Sequence, residues 1–127
     1  LAVVGLMNTL RLEGQKYNIF VNSIAPVAGT RMTEDLMPPE IVAKLKPELV
    51  SPMVAYLCSE QCQYTGEIFA AGAGYYSIIE FREGAGVRLA GVPTIDDVAD
   101  NIGKIVDMGK QTRYRTSSEE VAAVIGS

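Results

Sequence analysis

Ile19-Phe-Val-Asn-Ser-Ile-Ala-Pro-Val-Ala-Gly-Thr-Arg-Met-Thr33 is the stretch on which the fold turns. Ile19 to Ile24 is an apolar run with β-branched side chains, the composition of a strand buried on both faces. Pro26 then breaks the run, and small residues follow through Gly29, Thr30 and Thr33. A buried strand opening into a small, kinked loop is how an open α/β sheet presents backbone to a ligand at the strand's carboxyl end. The stretch therefore predicts a ligand-facing loop over 26–33.

Upstream, residues 1–13 read as a helix, with Val3, Leu6, Met7 and Leu10 on one stripe and Gly14 in the closing position. Ala2, Gly5 and Thr9 form a second stripe of small residues that permits another helix to approach closely. Two faces to bury are more than the rest of the chain readily covers. The chain also opens without Met and in mid-helix pattern, so a piece of something longer is expected.

Downstream, Thr33 is placed to cap a short helical piece ending at Leu36, which Pro38-Pro39 cannot continue. Pro39 then starts a second piece, Glu40 to Leu45. Two short helices broken by prolines beside a ligand-facing loop have the composition of a hinged lid; an ordinary surface connection fits them equally well. Ser51-Pro52 reads as a cap and first helical residue of a helix reaching about Glu60. Gln61 to Gly66 is a turn, and Glu67 to Ala71 a second short buried strand. A helix between two parallel strands is a crossover unit, and such crossovers are right-handed.

Tyr75 to Arg82 alternates and is β-rich; with Glu83–Gly86 as turn and Val87–Ala90 as partner it predicts a hairpin. Thr94 caps a helix to about Met108, closed by Gly109, with Asp96 and Asp97 in its first turn to match the dipole. Residues 111–116 read as linker, and Ser118 as the cap of a last helix, Glu119 to Ile125.

The chain's 127 residues suit one domain with a real core, and 48% apolar against 20% charged residues is ordinary globular composition. A net charge of −4 carries no basic footprint, so neither nucleic acid nor an anionic membrane is an expected partner. No apolar run approaches the roughly 18 residues of a membrane span, and Leu1 to Met7 lacks a signal peptide's basic flank and cleavage pattern. Cys58 and Cys62 are either a metal or redox pair, or one packed and one partly exposed thiol. Without His or a second cysteine pair a zinc site is poorly supported, no metal is expected, and a reducing compartment is.

Gly72-Ala-Gly74 and Gly84-Ala-Gly86 lack a third glycine in register and do not open a helix, so both read as turns. The absence of His removes hydrolase triads. Asp96-Asp97 and Glu119-Glu120 sit at helix starts, where they serve the dipole better than a glycosidase pair.

Leu1-Ala-Val-Val-Gly-Leu-Met-Asn-Thr-Leu-Arg-Leu-Glu13, Asn18 to Pro26 and Met32-Thr33 together resemble the short-chain dehydrogenase/reductase family, in the portion directly after its catalytic Tyr-x-x-x-Lys. Asn22 to Thr33, Leu45-Lys-Pro-Glu48, Gly66 to Tyr75 and the tail from Tyr76 to Leu89 narrow the resemblance. They are similar to the (3R)-hydroxyacyl-CoA dehydrogenase unit of the peroxisomal multifunctional enzyme type 2 group and its bacterial relatives. The resemblance implies an α/β fold, the C-terminal portion of a doubly wound parallel Rossmann-type sheet, with a β-hairpin and a helical C-terminal extension. Residues 1–91 would be the latter half of the Rossmann domain and 92–127 the extension.

It further implies that the loop lies by the nicotinamide of NAD or NADP, with Pro26, Ala28, Gly29, Thr30 and Met32 as cofactor-binding residues and Ala28 and Gly29 holding the carboxamide through backbone. The family's usual Gly after the proline and Thr five residues after it are here Val27 and Arg31. The broken helices would be the substrate lid, and the first helix part of a four-helix subunit interface. The tail would help complete an active site, the neighbouring subunit's in this group. No catalytic residue is expected in the chain: Tyr17, Tyr56, Tyr64, Tyr75, Tyr76 and Tyr114 are not followed by Lys at four, and no glycine-rich cofactor turn is present. The implied parent oxidises a 3-hydroxyacyl-CoA by hydride transfer, in the cytoplasm or, in a eukaryote, the peroxisome. The fragment alone would be inactive, binding cofactor weakly or not at all, and would form a homo-oligomer through the first helix or an exposed strand edge. A non-catalytic binding module derived from this fold and a 3-ketoacyl-carrier-protein reductase are the alternatives.

Overall fold

The computed structural model describes residues 1–126, in two compact units, Leu1–Ile79 and Glu80–Ser127. In the first unit, helix α1 (Ala2–Gly14) runs into a 3₁₀ turn (Gln15–Tyr17). The left-handed residue that ends it is Asn18, φ 56°, rather than the expected Gly14, which stays helical. Strand β1 (Ser23–Val27), a 3₁₀ turn (Glu34–Leu36), α2 (Pro39–Val42), a 3₁₀ turn (Pro47–Leu49), α3 (Ser51–Leu57), β2 (Ile68–Gly72) and β3 (Tyr75–Ile79) follow. Strand order is β1-β2-β3, with β1 parallel to β2 and β3 antiparallel to it.

The parallel pair confirms the crossover reading, but β1 lies four residues later than Ile19–Ile24. Its start is fixed by the turn ahead of β2. The Ser23 N–H donates to the Glu67 carbonyl at 2.9 Å, and the Gly66 N–H to the Val21 carbonyl at 2.7 Å. Just before the ladder, side chains take over: Val21 N–H donates to Thr65 Oγ1 at 3.0 Å. Asn22 Nδ2 donates to the Tyr64 carbonyl at 2.7 Å, and Asn22 Oδ1 accepts the Glu67 N–H at 3.1 Å.

Pro26 lies inside the strand, opposite Ala71. Alternate residues of a parallel ladder face opposite neighbours. Since Ser23 faces β2, position 26 faces the other edge, where no strand pairs among the described residues and the missing donor costs no ladder bond.

Burial falls short of the expected core. Met7, Cys62, Ile68 and Ala71 are buried, with Ser23 and Glu67 the buried polar residues, while Ile19 and Phe20 are 54% and 42% exposed. The expectation of a strand covered on both faces fails: in β1 only Ser23 is buried, Ile24 and Ala25 are half-buried, and Pro26 and Val27 are exposed. The helix stripe is likewise bare, Val3 at 67% and Leu6 at 59% exposure, with only Met7 and Gly14 of α1 buried.

The hairpin also differs from expectation. Tyr75–Ile79 pairs back onto β2 rather than onto Val87–Ala90, through a two-residue turn at Ala73 and Gly74, both with positive φ. That backbone matches the twist of antiparallel strands. Gly72-Ala-Gly74 is thus a turn, as read.

In the second unit β4 (Glu83–Gly84) pairs antiparallel with β5 (Gln111–Thr112), inside the segment expected to be linker. Val87–Ala90 forms no strand. Between them lies α4 (Ile95–Ile105), and α5 (Ser117–Ile125) ends the unit, capped by Thr116 rather than Ser118. Helix α4 stops at Ile105, short of Met108, while Gly109 N–H donates to Asp107 Oδ1 at 2.9 Å in the turn beyond. Glu80 accepts from Arg82 and Arg113, and these contacts, Arg82's hydrogen bond first, hold its carboxyl below the usual carboxylate range. Arg88 Nη2 donates to the Val124 carbonyl at 2.6 Å, closing the carboxyl end of α5.

Thr94 caps α4 as expected. Its Oγ1 accepts the Asp97 N–H at 3.2 Å, and Asp97 Oδ2 accepts the Thr94 N–H at 2.8 Å. These bonds favour the ionised carboxylate and lower its pKa. A group whose folded pKa is depressed stabilises above its unfolded value, near ~4, and loses that contribution as pH falls through the folded value. Helicity measured by circular dichroism is therefore expected to decline on acidification below that point. In Thr94→Ala, with roughly 1 kcal/mol less helix stability, it starts from a lower level at neutral pH.

Candidate functional site

The carboxyl ends of β1 and β2 lie side by side, Val27 opposite Gly72. A Cβ on Gly72 would stand 2.6 Å from the Val27 carbonyl oxygen, so this position lets the strand ends meet. From that edge the loop 28–33 departs.

Thr33 holds the loop. Rather than capping the turn that follows with its side chain, its Oγ1 accepts the Thr30 N–H at 2.8 Å. The same hydroxyl lies within donating distance of the Thr30 carbonyl, 3.1 Å, and the Ala28 carbonyl, 3.4 Å. Gly29 forms the second anchor. Its N–H donates to the Leu45 carbonyl at 2.6 Å, just past α2. A Cβ there would meet Val42 Cγ1 at 2.9 Å and the Val42 carbonyl at 3.1 Å. The loop is thereby fastened to the segment read as a lid.

An open groove of about 500 Å³ lies beside the loop, lined by Pro26, Ala28, Pro47, Val50, Val54 and Cys58 among others. Its walls are mostly apolar, as in many ligand sites. Tyr76 donates its hydroxyl to the carbonyl of Leu49, which lies between the lining residues Pro47 and Val50, at 2.8 Å. Of the five residues assigned from sequence, Pro26 and Ala28 line the groove. Gly29 turns inward to α2, and Thr30 and Met32 are exposed, Met32 at 87%. Cys62 is buried and Cys58 exposed, both as free thiols, and no group of three or more metal-ligating residues occurs among the described residues.

Thr33 and Tyr76 escaped the sequence reading. Thr33 carried a visible signal, a hydroxyl three residues after Thr30, but it was read as a helix cap. Nothing local ties Tyr76 to Leu49; that contact exists only once β3 folds back on β2.

No protein-family model matches the chain. It is 44% identical over 108 residues to a Mycobacterium tuberculosis protein named as a short-chain type dehydrogenase/reductase, covering 85% of this chain and 38% of that protein. It is 41% identical over 128 residues to the peroxisomal multifunctional enzyme type 2 of Mus musculus, covering 98% of this chain and 17% of that enzyme. The structure of full-length peroxisomal multifunctional enzyme type 2 from Drosophila melanogaster superposes with a TM-score of 0.83 at 30% identity, over 97% of this chain and 23% of that one. The chain is a homologue of the short-chain dehydrogenases/reductases, with their Rossmann-type α/β fold. More particularly, it is homologous to the peroxisomal multifunctional enzymes type 2 over nearly its whole length. It spans 38% or less of the length of these relatives.

Small apolar walls suit a planar ring, and no hydrogen bond engages the Ala28 amide among the described residues.

Gly29→Ala is expected to cost about 1–3 kcal/mol of unfolding free energy in urea through overpacking against Val42. A change within error would mean that Val42 yields freely.

Proposed function

We propose that the chain is the nicotinamide-side part of an NAD(P)-dependent dehydrogenase that oxidises a 3-hydroxyacyl-CoA to the 3-ketoacyl-CoA. The observation that carries this reading is the loop at the carboxyl ends of a parallel pair, in a chain that superposes over 97% of its length on a peroxisomal multifunctional enzyme. When bound, the nicotinamide supplies the hydride acceptor. The backbone at Ala28 holds its carboxamide, Pro26 and Gly29 shape the loop, and Thr30 and Met32 border it.

The segment from Thr33 to Leu45 serves as the lid over the acyl substrate. Residues 1–91 are the latter part of the Rossmann domain, and 92–127 extend it. With no Tyr-x-x-x-Lys in these 127 residues, proton transfer belongs to groups outside them. The bare stripe of α1 and the open edge of β1 are the surfaces through which the chain associates, with copies of itself or with the rest of its parent. In a eukaryote the parent works in the peroxisome.

The test compares the longer protein carrying this chain with the 127 residues alone, following NADH formation from a (3R)-hydroxyacyl-CoA and sedimentation in the same samples. The longer protein is expected to turn over, and the isolated chain to self-associate without turnover. Turnover by the chain alone would contradict the division of labour. Activity only on a carrier-protein thioester would overturn the substrate.

A further inference from the structure

We infer that Thr33, outside the five residues assigned to the cofactor, is the positioning residue that aims the loop's Ala28 amide at a ligand. The inference rests on the nicotinamide reading above. Three amides leave the end of β1, those of Ala28, Gly29 and Thr30. Gly29 N–H is spent on the Leu45 carbonyl at 2.6 Å, and Thr30 N–H on Thr33 Oγ1 at 2.8 Å. The Ala28 amide is engaged by no hydrogen bond among the described residues.

The Thr33 hydroxyl has one proton to give and lies 3.4 Å from the Ala28 carbonyl and 3.1 Å from the Thr30 carbonyl. Its own N–H donates to the Thr30 carbonyl at 2.8 Å, so one residue closes the loop through both main chain and side chain. A loop tied at 30 by Thr33 and at 29 by Leu45 leaves the Ala28 amide unspent at a residue that lines the groove. The matching ligand group is an uncharged carbonyl on a flat ring, and the carboxamide of a nicotinamide has that chemistry.

Thr33→Val keeps the volume and removes donor and acceptor together. In the longer dehydrogenase it is expected to raise the KM for the nicotinamide cofactor about tenfold, the scale of one lost hydrogen bond. The KM for the acyl substrate should hold, and Thr33→Ser should restore the cofactor KM. An unchanged cofactor KM, or equal rises in both KM values, overturns the inference. Amide hydrogen exchange on the 127-residue chain reads the same claim without turnover. The Thr30 amide of Thr33→Val should exchange at least about tenfold faster while β1 and β2 keep their protection. Unchanged exchange at Thr30, or loss of protection across the sheet, overturns it. A wild-type parent that reduces no cofactor defeats the proposed function, yet leaves the exchange result to stand or fall by itself.

Discussion

The parallel pairing of Ser23–Val27 with Ile68–Gly72 is the constraint on which the first unit depends. It brings two carboxyl ends to one edge, and only there can a loop leave a strand and reach back over the adjoining helix. The register is set before the ladder begins, by Asn22 and Thr65, whose side chains bond the backbone of the opposite segment. A slip by one residue would turn every side chain of β1 to the other face. These short-range bonds hold the five-residue ladder in place although its outer edge is open.

The loop inherits its geometry from that edge and its stability from two small contacts. Gly29 admits the α2 segment as no larger residue can, and Thr33 folds the chain back on itself. Because Gly29 bonds Leu45 directly, a displacement of the segment around α2 would pull on the loop. Farther along the chain, Tyr76 of β3 ties the 3₁₀ turn Pro47–Leu49 to the sheet. The loop, the segment after it and the sheet are therefore linked by hydrogen bonds as well as by chain continuity.

What could be read in the sequence was whatever local composition determines. The crossover and the Thr94 cap follow from apolar runs and capping residues, and both appear in the structure; the proline break at 26 likewise marks where the chain leaves the sheet. The position of β1 was not legible, since an apolar run shows where a strand can form but not where its partner begins. The β3 pairing was not legible for a related reason: Gly72-Ala-Gly74 reads as a turn, but nothing local shows that Tyr75–Ile79 returns onto β2 rather than onto Val87–Ala90. The β4–β5 ladder joins segments more than twenty residues apart through a polar stretch, which carries no periodicity to detect. Burial was overestimated because composition counts apolar residues without revealing how much neighbouring structure is there to cover them. Thr33 was noticed for the right atom but given the wrong partner, a helix ahead instead of the loop behind.

The most direct measurement is a crystal structure of the longer protein with its nicotinamide cofactor bound. The account predicts the carboxamide oxygen within hydrogen-bonding distance of the Ala28 amide, with the Thr33–Thr30 bond intact. A cofactor whose nicotinamide lies away from the loop 26–33 would contradict it.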